Sequence, residues 1–195
     1  MATINQTLTS CPADCADTAL LLAIPTNQDC ASYPLNRSQI ARLYIIPSGA
    51  PDIFANWSTT PTAVSGAVDN TVTNNTKSKY LAGIGGVAVA EKTVTDYPFR
   101  KKRTTDRTYP LTFRMLNLSD DQYAFLRQIQ CGTLGFTFYY GDLSDYVYGI
   151  AGGLVPDFID VKFPKGEGNT DKNVAIISLS WKANADPQRK VNPLA

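Results

Sequence analysis

Thr108-Tyr109-Pro110-Leu111-Thr112-Phe113-Arg114-Met115 decides the fold. In an extended chain, Tyr109, Leu111, Phe113 and Met115 fall on one side and the more polar residues on the other. Two later stretches repeat the pattern. Leu134-Gly135-Phe136-Thr137-Phe138-Tyr139-Tyr140 gathers Leu134, Phe136, Phe138 and Tyr140, and Ala175-Ile176-Ile177-Ser178-Leu179-Ser180-Trp181 gathers Ala175, Ile177, Leu179 and Trp181. Alternation of period two is the mark of half-buried antiparallel strands. Between the first two stretches lies Ser119-Asp120-Asp121-Gln122, a capping box: Ser119 as N-cap, Gln122 reaching back, two acids at the positive helix end. Tyr123, Phe125, Leu126 and Ile129 follow at helical spacing, and Gly132 after Cys131 supplies a left-handed stop. The expectation is a mainly β fold: an antiparallel β-sandwich or barrel with one flanking helix over about 119–131 and long assembly loops.

Outward from this nucleus, Ile40–Ile46 is a strand of β-branched and aromatic residues ended by Pro47 and Pro51. Tyr80–Ala90 is a strand interrupted by Gly83, Gly85 and Gly86, and Glu91–Tyr97 continues it as a polar edge. The three glycines do not follow the G-x-G-x-x-G order of a dinucleotide site, so a β-bulge or a close backbone approach is expected. Gly141 and Asp142 are placed in a hairpin turn flanked by Tyr139, Tyr140, Tyr146 and Tyr148. Val155–Phe163 is the next strand, with Val155, Ile159, Val161 and Phe163 inward. The chain divides into an arm over 1–38, a body over 39–183 with a long loop at 47–78, and a tail over 184–195. Within the loop, Asp52–Trp57 suggests a helical turn anchored by Trp57, and the remainder an exposed loop or weakly paired hairpin. Loops of that length are either functional or disordered.

Composition narrows the function. The 195 residues carry a net charge of +1 and a charged fraction of 18%, below the roughly 25% of ordinary soluble domains. Such a surface is one built to be covered, and no global basic excess argues for nucleic acid as the main partner. There is no histidine, which removes the commonest general base and metal ligand together. Cys11, Cys15, Cys30 and Cys131 lack a second close pair for zinc. They read as free thiols, Cys131 as a buried one, with a Cys11–Cys15 or Cys15–Cys30 disulfide as the alternative. The start of the chain lacks a basic n-region, and Ala19–Ile24 is too short to span a bilayer, so the chain reads as a cytosolic product without a membrane partner.

The best catalytic candidate is Asp142 with Asp145, joined by Asp157 or Asp160, since paired carboxylates can carry acid–base chemistry. Their placement at an exposed turn favours a backbone role instead, and the spacing matches no calcium loop. No residue is assigned a catalytic, cofactor-binding or metal-binding role, and the expectation is a protein that is not an enzyme. Arg100–Arg107, with five basic residues in eight, is the other conspicuous cluster. It reads as a solvated hairpin tip, as a salt-dependent contact with an acidic neighbour, or as a nucleic-acid contact. The last is weakest because no aromatics interleave the charges.

The segment from Tyr80 to Trp181 resembles the tail tube, or major tail, proteins of long-tailed bacteriophages. The resemblance is carried by Thr108–Phe113, by Asp121-Gln122-Tyr123-Ala124-Phe125-Leu126, by Cys131-Gly132 leading into Phe136–Tyr140, and by Tyr148-Gly149. It implies a β-sandwich with one helix that forms rings, usually hexameric, which stack into a tube. It implies a virion protein of the tail, made in the host cytoplasm. Its partners would be copies of itself and other virion proteins, with DNA passing transiently through the lumen, and it would need no cofactor. Trp57, Arg100, Lys101, Lys102, Arg103 and Arg107 are the expected inter-subunit contacts. The rivals are another virion component (a neck or connector ring, tail terminator, baseplate or capsid decoration protein), the tube of a cellular injection apparatus, and a monomeric carbohydrate-binding module using the four tyrosines.

Overall fold

Alternation becomes wall in the computed structural model, which describes residues 39–69, 76–97, 101–164 and 174–194, with backbone alone over 95–97 and 101–105. The chain divides at Asn36/Arg37, and the expected arm over 1–38 lies outside the described residues, as do Cys11, Cys15, Cys30 and Arg100. Eleven strands and one helix follow among the described residues. They are β1 (Ile40–Pro47), β2 (Phe54–Ala55), β3 (Thr62–Ala63), β4 (Lys79–Val87), β5 (Glu91–Tyr97), β6 (Lys101–Leu116), α1 (Asp120–Gln130), β7 (Phe136–Asp142), β8 (Tyr146–Gly149), β9 (Phe158–Lys162), β10 (Val174–Ala183) and β11 (Gln188–Val191). The fold is mainly β, as the alternation predicts.

Nine strands form one antiparallel sheet in the order β11-β8-β7-β1-β4-β6-β10-β9, with β5 also on β6. The sheet rolls up. In a flat sheet β7 and β10, four places apart, would lie about 19 Å from each other. Yet the Trp181 ring on β10 meets Phe138 and Tyr140 of β7 at centroid distances of 5.5 and 5.9 Å. One continuous segment closes the roll: Leu154 pairs with Phe138 on β7 by reciprocal backbone hydrogen bonds, and β9 then pairs with β10. The inward rows of β1, β4, β6, β7, β9 and β10, including Leu43, Leu81, Phe113, Phe138, Ile177 and Trp181, form the main core.

The helix seals that core with Phe125, Leu126 and Ile129. Its capping box forms as expected: the Ser119 hydroxyl accepts from the Gln122 amide at 3.2 Å, and the Ser119 amide donates to Gln122 Oε1 at 3.1 Å. Gly132 takes a φ of +69° and ends it. Cys131, expected to be buried, is exposed. As the C-cap it stands past the last buried turn, so its side chain leaves the core face.

Two of the three glycines of β4, Gly83 and Gly85, are a close approach, while a Cβ on Gly86 would meet nothing within 4 Å. A Cβ on Gly85 would sit 2.6 Å from the Thr112 carbonyl oxygen and 2.8 Å from the Phe113 ring, and one on Gly83 would strike the Arg114 carbonyl oxygen. Phe113 is wholly buried because its neighbour strand has no side chains there.

Three expectations change. Of the two readings of the 47–69 segment, exposed loop or weakly paired hairpin, the second holds: Phe54–Ala55 pairs with Thr62–Ala63, displacing the helical turn expected over 52–57, and Ile53, Phe54, Trp57 and Ala67 are buried. The tail, described through Leu194, is docked rather than unpatterned, since β11 pairs with β8 and Asn192 donates to the Tyr44 hydroxyl at 2.9 Å. Val155, expected inward, is exposed, because the strand begins only at Phe158.

Candidate assembly surfaces

The outside of the roll has two unlike faces. Across β1, β7 and β8, the outward residues Tyr44, Ile46, Tyr139 and Val147 pack against Ile53, Phe54 and Trp57 in a second core. Phe54 meets Tyr44 and Tyr139 edge-on at 5.3 and 4.9 Å, and Trp57 lies 5.0 Å from Tyr139. The Tyr139 hydroxyl donates to the Asp52 carboxylate at 3.1 Å. Burial and the adjacent Asp52 charge push the Tyr139 phenol well above its ordinary value. Trp57 is 3% exposed. Its expected part as an inter-subunit contact is therefore corrected: the indole anchors the chain's own segment.

Across β4, β6, β10 and β9, no such cover appears among the described residues. Reading rows across the register, Ile84 aligns with Arg114, Ile176 and Lys162, and Gly86 with Thr112, Ser178 and Asp160. Ile84 is 54% exposed, Phe158 56% and Leu116 43%. The charges here are Arg114, Lys162, Lys182 and Asp160, of which Lys162 and Asp160 pair at 3.1 Å. A four-strand wall of small, hydroxylic and apolar side chains thus faces outward.

From the rim of this wall a ribbon projects. β10 leaves β6 at the Ala183–Arg107 pair, and β4 meets β6 only over Ile84–Val87. Beyond Arg107, β6 has β5 alone as its partner among the described residues, paired from Glu91–Thr108 to Tyr97–Lys101 with a register shift at Thr93/Val94. Six residues of β6 carry it roughly 20 Å past the rim. The basic cluster is therefore mostly strand rather than tip: Lys101, Lys102 and Arg103 occupy successive positions of β6, opposite Tyr97, Asp96 and Thr95. Arg107, at the root, pairs within the chain with Asp186 at 3.4 Å. Residues 91–107 hold six basic and three acidic side chains, a net of +3 against +1 for the whole chain, which leaves −2 elsewhere.

The proposed turn carboxylates separate. Asp142 is the last residue of β7, not the turn, and is 3% exposed. Its Oδ1 accepts from the amides of Ser144 and Tyr146 at 2.8 and 3.0 Å, and its Oδ2 from the Tyr148 hydroxyl at 2.9 Å. Asp145 stands in the turn with a φ of +62° and pairs with Arg42 at 3.3 Å. Among the described residues, no three acidic, cysteine or histidine side chains gather as a metal site. The tyrosines do not make one platform either. Tyr139 and Tyr140 are both buried, on opposite faces of β7, one in each core.

No protein-family model matches this chain, and no curated protein matches it. Among the described residues, no helix is long and apolar enough to cross a membrane.

Proposed function

We propose that this chain is a non-enzymatic structural protein of a virion, a tail-tube or tail-ring subunit that assembles with copies of itself into closed rings, six to a ring. The observation that carries the reading is the ribbon. A two-stranded hairpin is marginal in water by itself, and open strand edges are a hazard that proteins normally pair, blunt or cover. Here β5 and the outer half of β6 extend from the wall with no third strand among the described residues. A neighbouring copy supplies the cover. The charge division sets the symmetry: a two-fold contact of ribbon with ribbon brings +3 against +3, whereas ribbon against the near-neutral body of the next copy avoids that repulsion. Contacts between unlike surfaces that close generate rings.

The rigid rolled wall suits a load-bearing conduit, and the uncovered face over β4, β6, β10 and β9 suits contact with further copies or other virion proteins. The sugar-binding alternative needs an exposed aromatic platform, and the burial of Tyr139 and Tyr140 disfavours it. Sedimentation velocity of the purified chain over rising concentration, followed by negative-stain microscopy, tests the proposal. Rings or tubes are expected. A species near 21 kDa at every concentration in low salt refutes it.

A further inference from the structure

At the rim where the ribbon leaves the wall, one carboxylate holds two side chains of β6. Tyr109 and Arg107 are two positions apart and so share one side of the strand. Both reach Asp186: the Tyr109 hydroxyl donates to its Oδ1 at 2.6 Å, and the Arg107 guanidinium donates to the same atom at 3.4 Å. Tyr109 belongs to the wall, where its ring stacks on Trp181 at 5.2 Å with 10° between the planes. Arg107 stands at the last pair with β10, beyond which β5 alone accompanies β6 among the described residues. Asp186 thus spans the junction of wall and ribbon. The ribbon needs such support. Two strands by themselves are marginal in water. One extra residue of β6 also breaks the register with β5 between Thr104 and Asp106, just outside Arg107. A bulge of this kind is where a strand bends.

Asp186 is held in turn by the tail. It lies in the short connection between β10, which ends at Ala183, and β11, and Pro187 after it restricts that connection. β11 is fixed to the covered side of the roll. It pairs with β8 from Gln188–Gly149 to Val191–Tyr146, and Arg189 lies over the Tyr146 ring at 4.5 Å. The Lys190 ammonium donates to the Thr59 carbonyl, within the 47–69 segment, at 3.3 Å. Buried Asn192 closes the far end. Its amide donates to the Asp145 carbonyl at 2.9 Å, its Nδ2 to the Tyr44 hydroxyl at 2.9 Å, and its Oδ1 accepts from the Leu194 amide at 3.0 Å. One short stretch of chain therefore ties the ribbon's root to the second core.

We infer that residues 184–192 are a strap that holds the ribbon in place, with Asp186 as its hook, and that the strap pre-orders the ribbon for a neighbouring copy. Asp186 and Tyr109 are then positioning residues for assembly. A ribbon already ordered in the monomer loses less conformational freedom when a second copy docks on it, and that saving appears as affinity. The pre-ordering part rests on the assembly reading above, whereas the strap itself is a property of the single chain.

Two measurements on the full chain test it, for the wild type, Asp186→Ala, Tyr109→Phe and the double variant. The first is amide exchange over 91–97 and 101–108 in dilute protein, and the second is the association constant from sedimentation equilibrium. The Asp186 side chain is 76% exposed, so its removal should leave the thermal midpoint near wild type. Tyr109→Phe keeps the ring on Trp181 and removes only the hydroxyl. Asp186→Ala is expected to speed ribbon exchange about tenfold, since it removes both hydrogen bonds to a charged group, and Tyr109→Phe by less. The double variant should exchange no faster than Asp186→Ala, because the two changes remove one interaction. Association should weaken about fivefold or more in Asp186→Ala. If Tyr109→Phe lowers the thermal midpoint, Asp186→Ala decides. Ribbon exchange unchanged in Asp186→Ala overturns the strap, whether or not the protein assembles. Faster exchange with wild-type association overturns the pre-ordering. A wild type that never associates overturns the assembly reading and the pre-ordering with it, while exchange in the dilute chain still decides the strap.

Discussion

The two outer faces of one rolled sheet have been finished differently. Over β1, β7 and β8, the chain lays its own 47–69 segment, and Phe54, Trp57 and Tyr139 pack as a second core. Over β4, β6, β10 and β9, Ile84, Leu116 and Phe158 remain about half exposed beside Thr112 and Ser178. Strands, register and inward core are continuous between the two, so the difference lies in what covers them. A face completed in cis is part of the monomer's stability. A face left open among the described residues, with a ribbon at its rim, is where the proposed assembly would draw on neighbouring copies. This division teaches that substitutions on the two faces should report in different assays.

Trp57→Ala should separate them most strongly. Truncating a buried aromatic costs about 3–5 kcal/mol, so thermal unfolding should shift down by roughly 6–20 °C. The secondary core should loosen while the wall face is untouched. Gly85→Val follows, at about 1–3 kcal/mol, since its Cβ would press on the Thr112 carbonyl and the Phe113 ring. Urea unfolding midpoints measure that loss, and an unchanged midpoint would contradict the close approach. Ser119→Ala should cost about 1 kcal/mol through loss of the N-cap, read the same way.

Alkaline titration acts on the covered face. Desolvation raises the phenols of Tyr44 and Tyr139 above their usual 10.0. A raised folded pKa means the stabilisation is fully present below pH 10 and is lost as pH climbs beyond it, because the unfolded chain releases those protons first. Unfolding midpoints should fall above pH 10, and Tyr139→Phe should reduce the slope. The smallest stability effect belongs to the open face. Ile84→Ser and Phe158→Ser should stay within about 0.5 kcal/mol of wild type yet weaken association. Should they unfold the monomer instead, the face is closed in cis and the comparison fails.

Much of this was legible in the residues. The inward rows of β6, β7 and β10, the capping box and the close approach at Gly83 and Gly85 all follow from local rules that need no knowledge of distant contacts. What escaped depends on distance. Polar, proline-rich 47–69 reads no more firmly than loop or weak hairpin because its two-residue strands are too short for periodicity, and only Tyr44 and Tyr139, far along the chain, explain its burial. Asp142 reads as a turn residue because Gly-Asp favours turns. Its real place at the end of β7 is set by the Tyr148 hydroxyl and by a turn that starts one residue later. The docked tail hangs on Asn192 and Tyr44, a pair 148 positions apart, and no local signal announces it. The basic cluster was visible as charge but not as strand.

Amide hydrogen exchange at dilute and at concentrated protein tests the central claim most directly. Concentration should slow exchange along β5 and the outer half of β6, and along the open wall from β4 to β9, while amides of the 47–69 segment exchange alike at both. Exchange along the ribbon that ignores concentration, or protection gained over 47–69 instead, would contradict it.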